Sequence, residues 1–152
     1  MNTIIKYLKY YLPGLTSILF IIILLMGENY PTYFLIGFSL FIIVGDLIFP
    51  RDKEIQKFSY PSLLNLSIYI NLPILFILVL LVFSIFSHDL SQWYIAALDS
   101  YFYIDFIQIQ NSFNRIDIIS LIIQTALFIG LLGTVPGHEL THRKKNKFDM
   151  FI

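Results

Sequence analysis

Residues 10–49 read "YYLPGLTSILFIIILLMGENYPTYFLIGFSLFIIVGDLIF". Two apolar runs, 10–26 and 30–49, meet at the junction "GENY". Each approaches or reaches the roughly 20 residues an α-helix needs to cross the hydrocarbon core of a bilayer. A junction that tight turns the second run straight back, so the pair is expected to form an antiparallel helical hairpin. Working outward, two further runs of the same kind follow, at 63–86 and 116–135. The second and third runs are joined by "PRDKEIQKFSYP", a polar stretch bracketed by prolines. Between the third and fourth lies "SHDLSQWYIAALDSYFYIDFIQIQNSFNR", neither apolar enough to span nor polar enough to be disordered. Its Trp93, Tyr94, Tyr101 and Tyr103 suit the headgroup zone, where amphipathic rings concentrate, so the segment is expected to lie in the interface.

Composition agrees with that reading. The chain has 152 residues, 57% of them hydrophobic and only 13% charged. A soluble domain carries about 25% charged residues, and half that number cannot cover a water-facing surface. A mean hydropathy of +0.76 points the same way. The solvent for this chain is a lipid bilayer. The absence of cysteine excludes disulfides, thiolate metal sites and cysteine nucleophiles. No nucleic-acid partner is expected. Lys6 and Lys9 precede the first apolar run as they would in a signal peptide, yet "LLMGENYPTY" offers no small-residue cleavage site. The first run is therefore read as a retained helix. No internal repeat or low-complexity tract interrupts the pattern.

Basic residues set the expected orientation. With the N-terminus inside, Lys6, Lys9, Arg51, Lys53, Lys57, Arg143, Lys144, Lys145 and Lys147 are all cytoplasmic, and Arg115 alone falls outside. The positive-inside rule asks for this bias. The predicted fold is an all-α membrane protein with four transmembrane helices in two antiparallel hairpins, both termini facing the cytoplasm.

The fourth run ends in "GTVPGHELTHRKKNK", from Gly133 to Lys147. On a helix His138 and His142 are separated by about 40° and about 6 Å along the axis, so they project from one face. Glu139 is turned about 60° from His142 and can serve the same site as a ligand, as a hydrogen-bond acceptor behind the ligands, or as a proton carrier. Pro136 is expected to kink the helix just before the pair. Gly130, Gly133 and Gly137 form a small-residue stripe that permits close packing against a neighbour. Histidines at a cytosolic helix end can also simply meet headgroups. Their spacing, at a membrane boundary in a chain with only 3 histidines, favours metal.

H-E-x-x-H occurs in zinc metalloproteases, where the glutamate is general base to a zinc-bound water. An intramembrane protease needs the motif inside an apolar helix, and "RKKNK" draws this one to the water boundary. "PGHELTHRKK" after a four-span region resembles instead the first histidine box, 138–142, of the integral-membrane di-iron oxygenases, the alkane 1-monooxygenases and membrane fatty acid desaturases and hydroxylases. That resemblance covers most of the chain in layout and about ten residues in identity. It implies that His138 and His142 are ligands in a centre of two iron ions at the cytosolic face. It further implies a hydrophobic substrate (an alkane or fatty acyl chain), dioxygen, and an electron donor such as rubredoxin, in a multi-pass protein of the bacterial inner (plasma) membrane. Such enzymes carry further histidine clusters and spans downstream. The only other histidine here, His88, is expected on the opposite face, about 30 Å away across the hydrocarbon. The chain therefore reads as one N-terminal part of such a domain, inactive alone. A non-catalytic membrane subunit or remnant is the reading from a different class.

Other residues bear on the site. Asp46, in "VGDLIFPRD", is expected at the depth of the histidines, either partnering a ligating imidazole or sitting beside Arg51 at the helix end. Asn65, Ser67, Tyr69 and Asn71 make the inner half of the third run polar, for hydrogen bonding between helices or for a cavity near the metal. Pro73 is expected to kink that run.

Overall fold

The computed structural model describes residues 3–48, 59–87, 92–134 and 136–138. Regular structure among these residues is helical throughout. The elements are α1 (Thr3–Met26), α2 (Tyr30–Ile48), α3 (Pro61–Phe86), α4 (Gln92–Phe102), α5 (Phe106–Ser112) and α6 (Arg115–Ile129). The last continues into a π-helical turn, Gly130–Thr134. Four helical stretches are long and apolar enough to cross a membrane: Tyr7–Met26, Tyr30–Ile48, Ser62–Phe86 and Arg115–His138. They match the expected spans to within a few residues. The bundle has two ends, called here the His138 end and the turn end, the latter holding the α1–α2 connection.

That connection shows why the junction is so short. Gly27 has φ 72° and Glu28 φ 49°, a left-handed pair that reverses the chain. Gly27 N–H donates to Leu24 O at 3.2 Å, and Glu28 N–H donates to Ser112 Oγ at 2.7 Å. A Cβ on Gly27 would lie 2.7 Å from that same Ser112 oxygen. Both conformation and space therefore require glycine there.

Side-chain hydrogen bonds set how the helices run. Tyr60 N–H donates to the Tyr7 hydroxyl at 2.8 Å, and Tyr11 donates to Leu63 O at 2.7 Å. Farther along, a Cβ on Gly14 would lie 3.1 Å from Asn71 Oδ1. Positions rise together along both chains, so α1 and α3 run side by side in one direction. Ser67, Asn71, Ile74, Leu78, Val82 and Ile85 are the buried stripe of α3, at the helical period. Of the polar residues in this span, Ser67 and Asn71 lie in the seam against α1, while Asn65 and Tyr69 are half-buried. The Ser67 hydroxyl donates to Leu64 O within its own helix, at 2.7 Å. α3 is continuous through Pro73.

The centre of the bundle is aromatic. Phe20 of α1 stacks on Phe34 of α2 at 5.5 Å and on Phe128 of α6 at 5.3 Å. Leu24, Leu78, Leu121 and Leu132 are fully buried around them. Lipid tails are as apolar as leucine, so complementary packing rather than the hydrophobic effect holds such a centre together. α2 is the least embraced helix. Only Pro31 is buried along it, and Leu40–Ile48 is exposed almost throughout.

α4 and α5 cover the turn end. Trp93, Tyr101 and Tyr103 are 74%, 80% and 91% exposed, the disposition expected of rings in a headgroup layer. Tyr94 is half-buried instead, its hydroxyl 3.2 Å from that of Ser84. Gln110 Nε2 donates to Ser84 O at 2.7 Å and Ser87 O at 2.9 Å, tying α5 to the last turn of α3. Phe106, 1% exposed, fills the space beneath.

Candidate functional site

His138 is exposed, in a helical stretch at 136–138 that is the last of the described residues. The backbone that carries it departs from α-geometry at Gly130, well ahead of the proline expected to disturb it. A proline at 136 has no N–H, and its ring crowds the carbonyl four residues back, at Leu132. A π-turn across Gly130–Thr134 widens the helix where that crowding would fall. The disturbance is thus spread over a turn upstream of the histidine.

Of the glycine stripe, the structure uses one position for close packing. A Cβ on Gly133 would lie 2.9 Å from Leu75 Cδ2 of α3, whereas one on Gly130 or Gly137 would meet nothing within 4 Å among the described residues. Close packing is needed at one glycine, not three. That single contact seats the His138 end of α6 against the middle of α3.

Asp46 lies exposed two residues before the end of α2. Its depth follows from the anchor at the turn end, where the hydroxyls of Thr32 on α2 and Ser120 on α6 lie 3.1 Å apart. Asp46 is then about 21 Å from that anchor along α2, and His138 about 27 Å along α6, at 1.5 Å per residue. The two share one end of the bundle. Glu139 and His142 lie outside the described residues, as do His88 and Arg51. Among the described residues, no three His, Cys, Asp or Glu side chains gather to hold a metal.

Two apolar grooves run along α3. One, of about 350 Å³, lies between α3 and α6 and is lined by Val79, Val82, Phe83, Phe86, Ile122 and Ile129 among others. The other, of about 510 Å³, follows the same helix past Pro73, lined by Leu72, Leu75, Phe76 and Val79. Both are open at the outer surface of the bundle, and Val79 borders each.

At the opposite end is a buried polar cluster that the sequence reading did not single out. Asp117 is 1% exposed, Ser120 3% and Gln124 1%. They lie at i, i+3 and i+7 on α6, facing Thr32 and Pro31 of α2. Asn114 caps α6, its side chain accepting from Ile116 N–H at 2.7 Å and Asp117 N–H at 3.1 Å. Asp117 returns the bond, Oδ2 accepting from Asn114 N–H at 3.1 Å. The Thr32 hydroxyl donates to Asp117 Oδ1. The available signal was the polar i, i+3, i+7 stripe in an otherwise apolar span. Spacing alone could not supply its partner on α2.

Comparison with protein-family models, curated proteins and solved structures finds no match to this chain.

Proposed function

We propose that the chain is the N-terminal part of an integral-membrane di-iron monooxygenase that uses dioxygen to hydroxylate or desaturate a hydrocarbon or fatty acyl chain. The observation that carries this reading is the H-E-L-T-H sequence beginning at His138, the last described residue of the fourth helical stretch long and apolar enough to cross a membrane. Two imidazoles one turn apart, with a carboxylate between them, suit non-haem iron. They supply part of a two-iron ligand set, the remainder coming from further histidine clusters of the whole protein. Bound iron would supply the activation of dioxygen. His138 and His142 would hold it; Glu139 would orient an imidazole or carry a proton beside it, and Asp46 is a candidate for the same supporting role from α2.

In this reading the four spans form two antiparallel hairpins in a bacterial inner membrane, with both termini cytoplasmic. A rubredoxin-type donor delivers electrons on that face.

The test uses the full-length protein. His138→Ala and His142→Ala should each abolish iron retention and oxygen-dependent conversion of alkanes or acyl chains, in membranes supplied with reductant. Membrane insertion should persist, because apolar spans drive it. Glu139→Gln should cost about 10–100-fold in activity, the usual loss when a group behind the ligands is removed. Full activity in both histidine variants would defeat the reading.

A further inference from the structure

We propose that the far half of α2 is a lateral gate, an arm hinged beside Phe38 that opens and closes the seam between α2 and α6 toward the bilayer. The seam is fastened at the turn end. There Thr32 donates to Asp117 Oδ1 and lies 3.1 Å from Ser120 Oγ, and Gln124 Nε2 donates to Pro31 O at 2.9 Å. Farther along, the rings of Phe38 and Phe128 stack with centroids 6.1 Å apart. Positions rise together on both helices, so α2 and α6 run side by side in one direction.

One turn beyond that stack both walls of the seam are bare. On α2, Pro31, Phe34, Leu35 and Phe38 are buried or half-buried on one side of the helix, and Ile42 and Gly45 continue that side at the helical period. Yet Ile42 is 51% exposed, and a Cβ on Gly45 would meet nothing within 4 Å among the described residues. On α6, Asp117, Ser120, Gln124 and Phe128 are buried at i, i+3, i+7 and i+11. Leu131 continues that row and is 41% exposed. These are the rows that face protein nearer the turn end, not the outer faces of either helix.

The π-turn of α6 begins where the seam parts, at Gly130, and Gly133 seats it against Leu75 of α3. The end of α6 is thereby held to α3, and the far half of α2 is left without that neighbour. Segments with so few packed contacts are the ones that move at least cost. Gly37 and Ser39 flank Phe38, and sharp helix bends gather at such pairs. The arm from Phe38 to Leu47 is about 14 Å long at 1.5 Å per residue, so a bend of about 20° moves its tip about 5 Å. Closure lays Ile42 and Gly45 toward Leu131. Opening leaves an apolar-walled passage from the bilayer to the His138 end, one that a lipid-soluble molecule can enter. Asp46 rides on the arm. The gate is independent of what His138 binds.

The test is pulsed electron paramagnetic resonance on the full chain in lipid nanodiscs, with paired spin labels on introduced cysteines, since the chain has none of its own. Labels at Leu47 and Leu131 read the arm, and labels at Tyr33 and Ile119 read the fastened end of the same two helices. All four positions are exposed and should accept a label. The turn-end pair should give one narrow distance distribution, and the arm pair one broader by about 5 Å, the travel of its tip. In a separate variant, cysteines at Ile42 and Leu131 should be joined within one chain by a short cross-linker, trapping the closed arm. An arm distribution as narrow as the turn-end one would mean a rigid α2, and the proposal falls. It falls equally if Ile42→Cys and Leu131→Cys never cross-link within a chain. Distances appearing between singly labelled chains mixed together would place a second copy in the seam, and would also overturn it.

Discussion

Among the glycines within the helices, Gly133 leaves the least room for a side chain. A Cβ there would lie 2.9 Å from Leu75 Cδ2, while the same atom at Gly130 or Gly137 meets nothing within 4 Å among the described residues. Replacing a helical glycine by alanine gains about 1 kcal/mol from backbone entropy and propensity. Gly130→Ala and Gly137→Ala should show that gain or most of it. At Gly133 the same gain is set against overpacking, typically about 1–3 kcal/mol. Because Leu75 Cδ2 is the tip of a flexible side chain, alanine should fall at the low end and come out near neutral. Gly133→Val cannot be absorbed by one rotation and should destabilise by about 2 kcal/mol relative to Gly130→Val, a difference of roughly 4–8 °C at about 2–4 °C per kcal/mol. Leu75→Ala opens the space the valine needs, so the double variant should recover most of the loss, a coupling that a double-mutant cycle reads directly. If His138 ligates iron in the full-length protein, as proposed, Gly133→Val should also lower iron retention, because His138 is carried five residues beyond the displaced contact. Equal midpoints for Gly133→Val and Gly130→Val, or no recovery with Leu75→Ala, would refute this account of the α3–α6 seam.

Phe20→Ala removes the ring stacked between Phe34 and Phe128. In a bilayer the transfer term is small and the cavity term remains, so a loss of roughly 100 Å³ should cost about 2 kcal/mol by unfolding in detergent. A loss of 4 kcal/mol or none would show that the aromatic centre is not governed by packing. Topology is open to single-cysteine labelling, since the chain has no native cysteine. A cysteine at Asn146 should resist an impermeant reagent in intact cells and react once they are opened, while one at Tyr101 should react in both; labelling at Asn146 in intact cells would reverse the orientation.

Much of the architecture is written in one-dimensional terms. A run of apolar residues about as long as a bilayer is thick has few stable forms, because every backbone N–H and C=O must be satisfied inside the segment. The spans at 10–26, 30–49, 63–86 and 116–135 therefore follow from length and hydropathy, and the α1–α2 turn from Gly27 and its neighbours. The spacing of His138 and His142 likewise carries the proposed metal chemistry without reference to the fold. What neighbouring helices do to one another is different, since lipid-facing and helix-facing leucines have the same composition. Only packing shows that Gly133 meets Leu75 while Gly130 and Gly137 meet nothing among the described residues. Only packing shows that the proline-bearing end of α6 accommodates its strain as a π-turn. The buried pairing of Asp117, Ser120 and Gln124 with Thr32 and Pro31 joins positions 85 to 93 residues apart in the chain. A polar residue in a span announces that it needs a partner. Which one it finds is decided by the faces that α2 and α6 present when they come together.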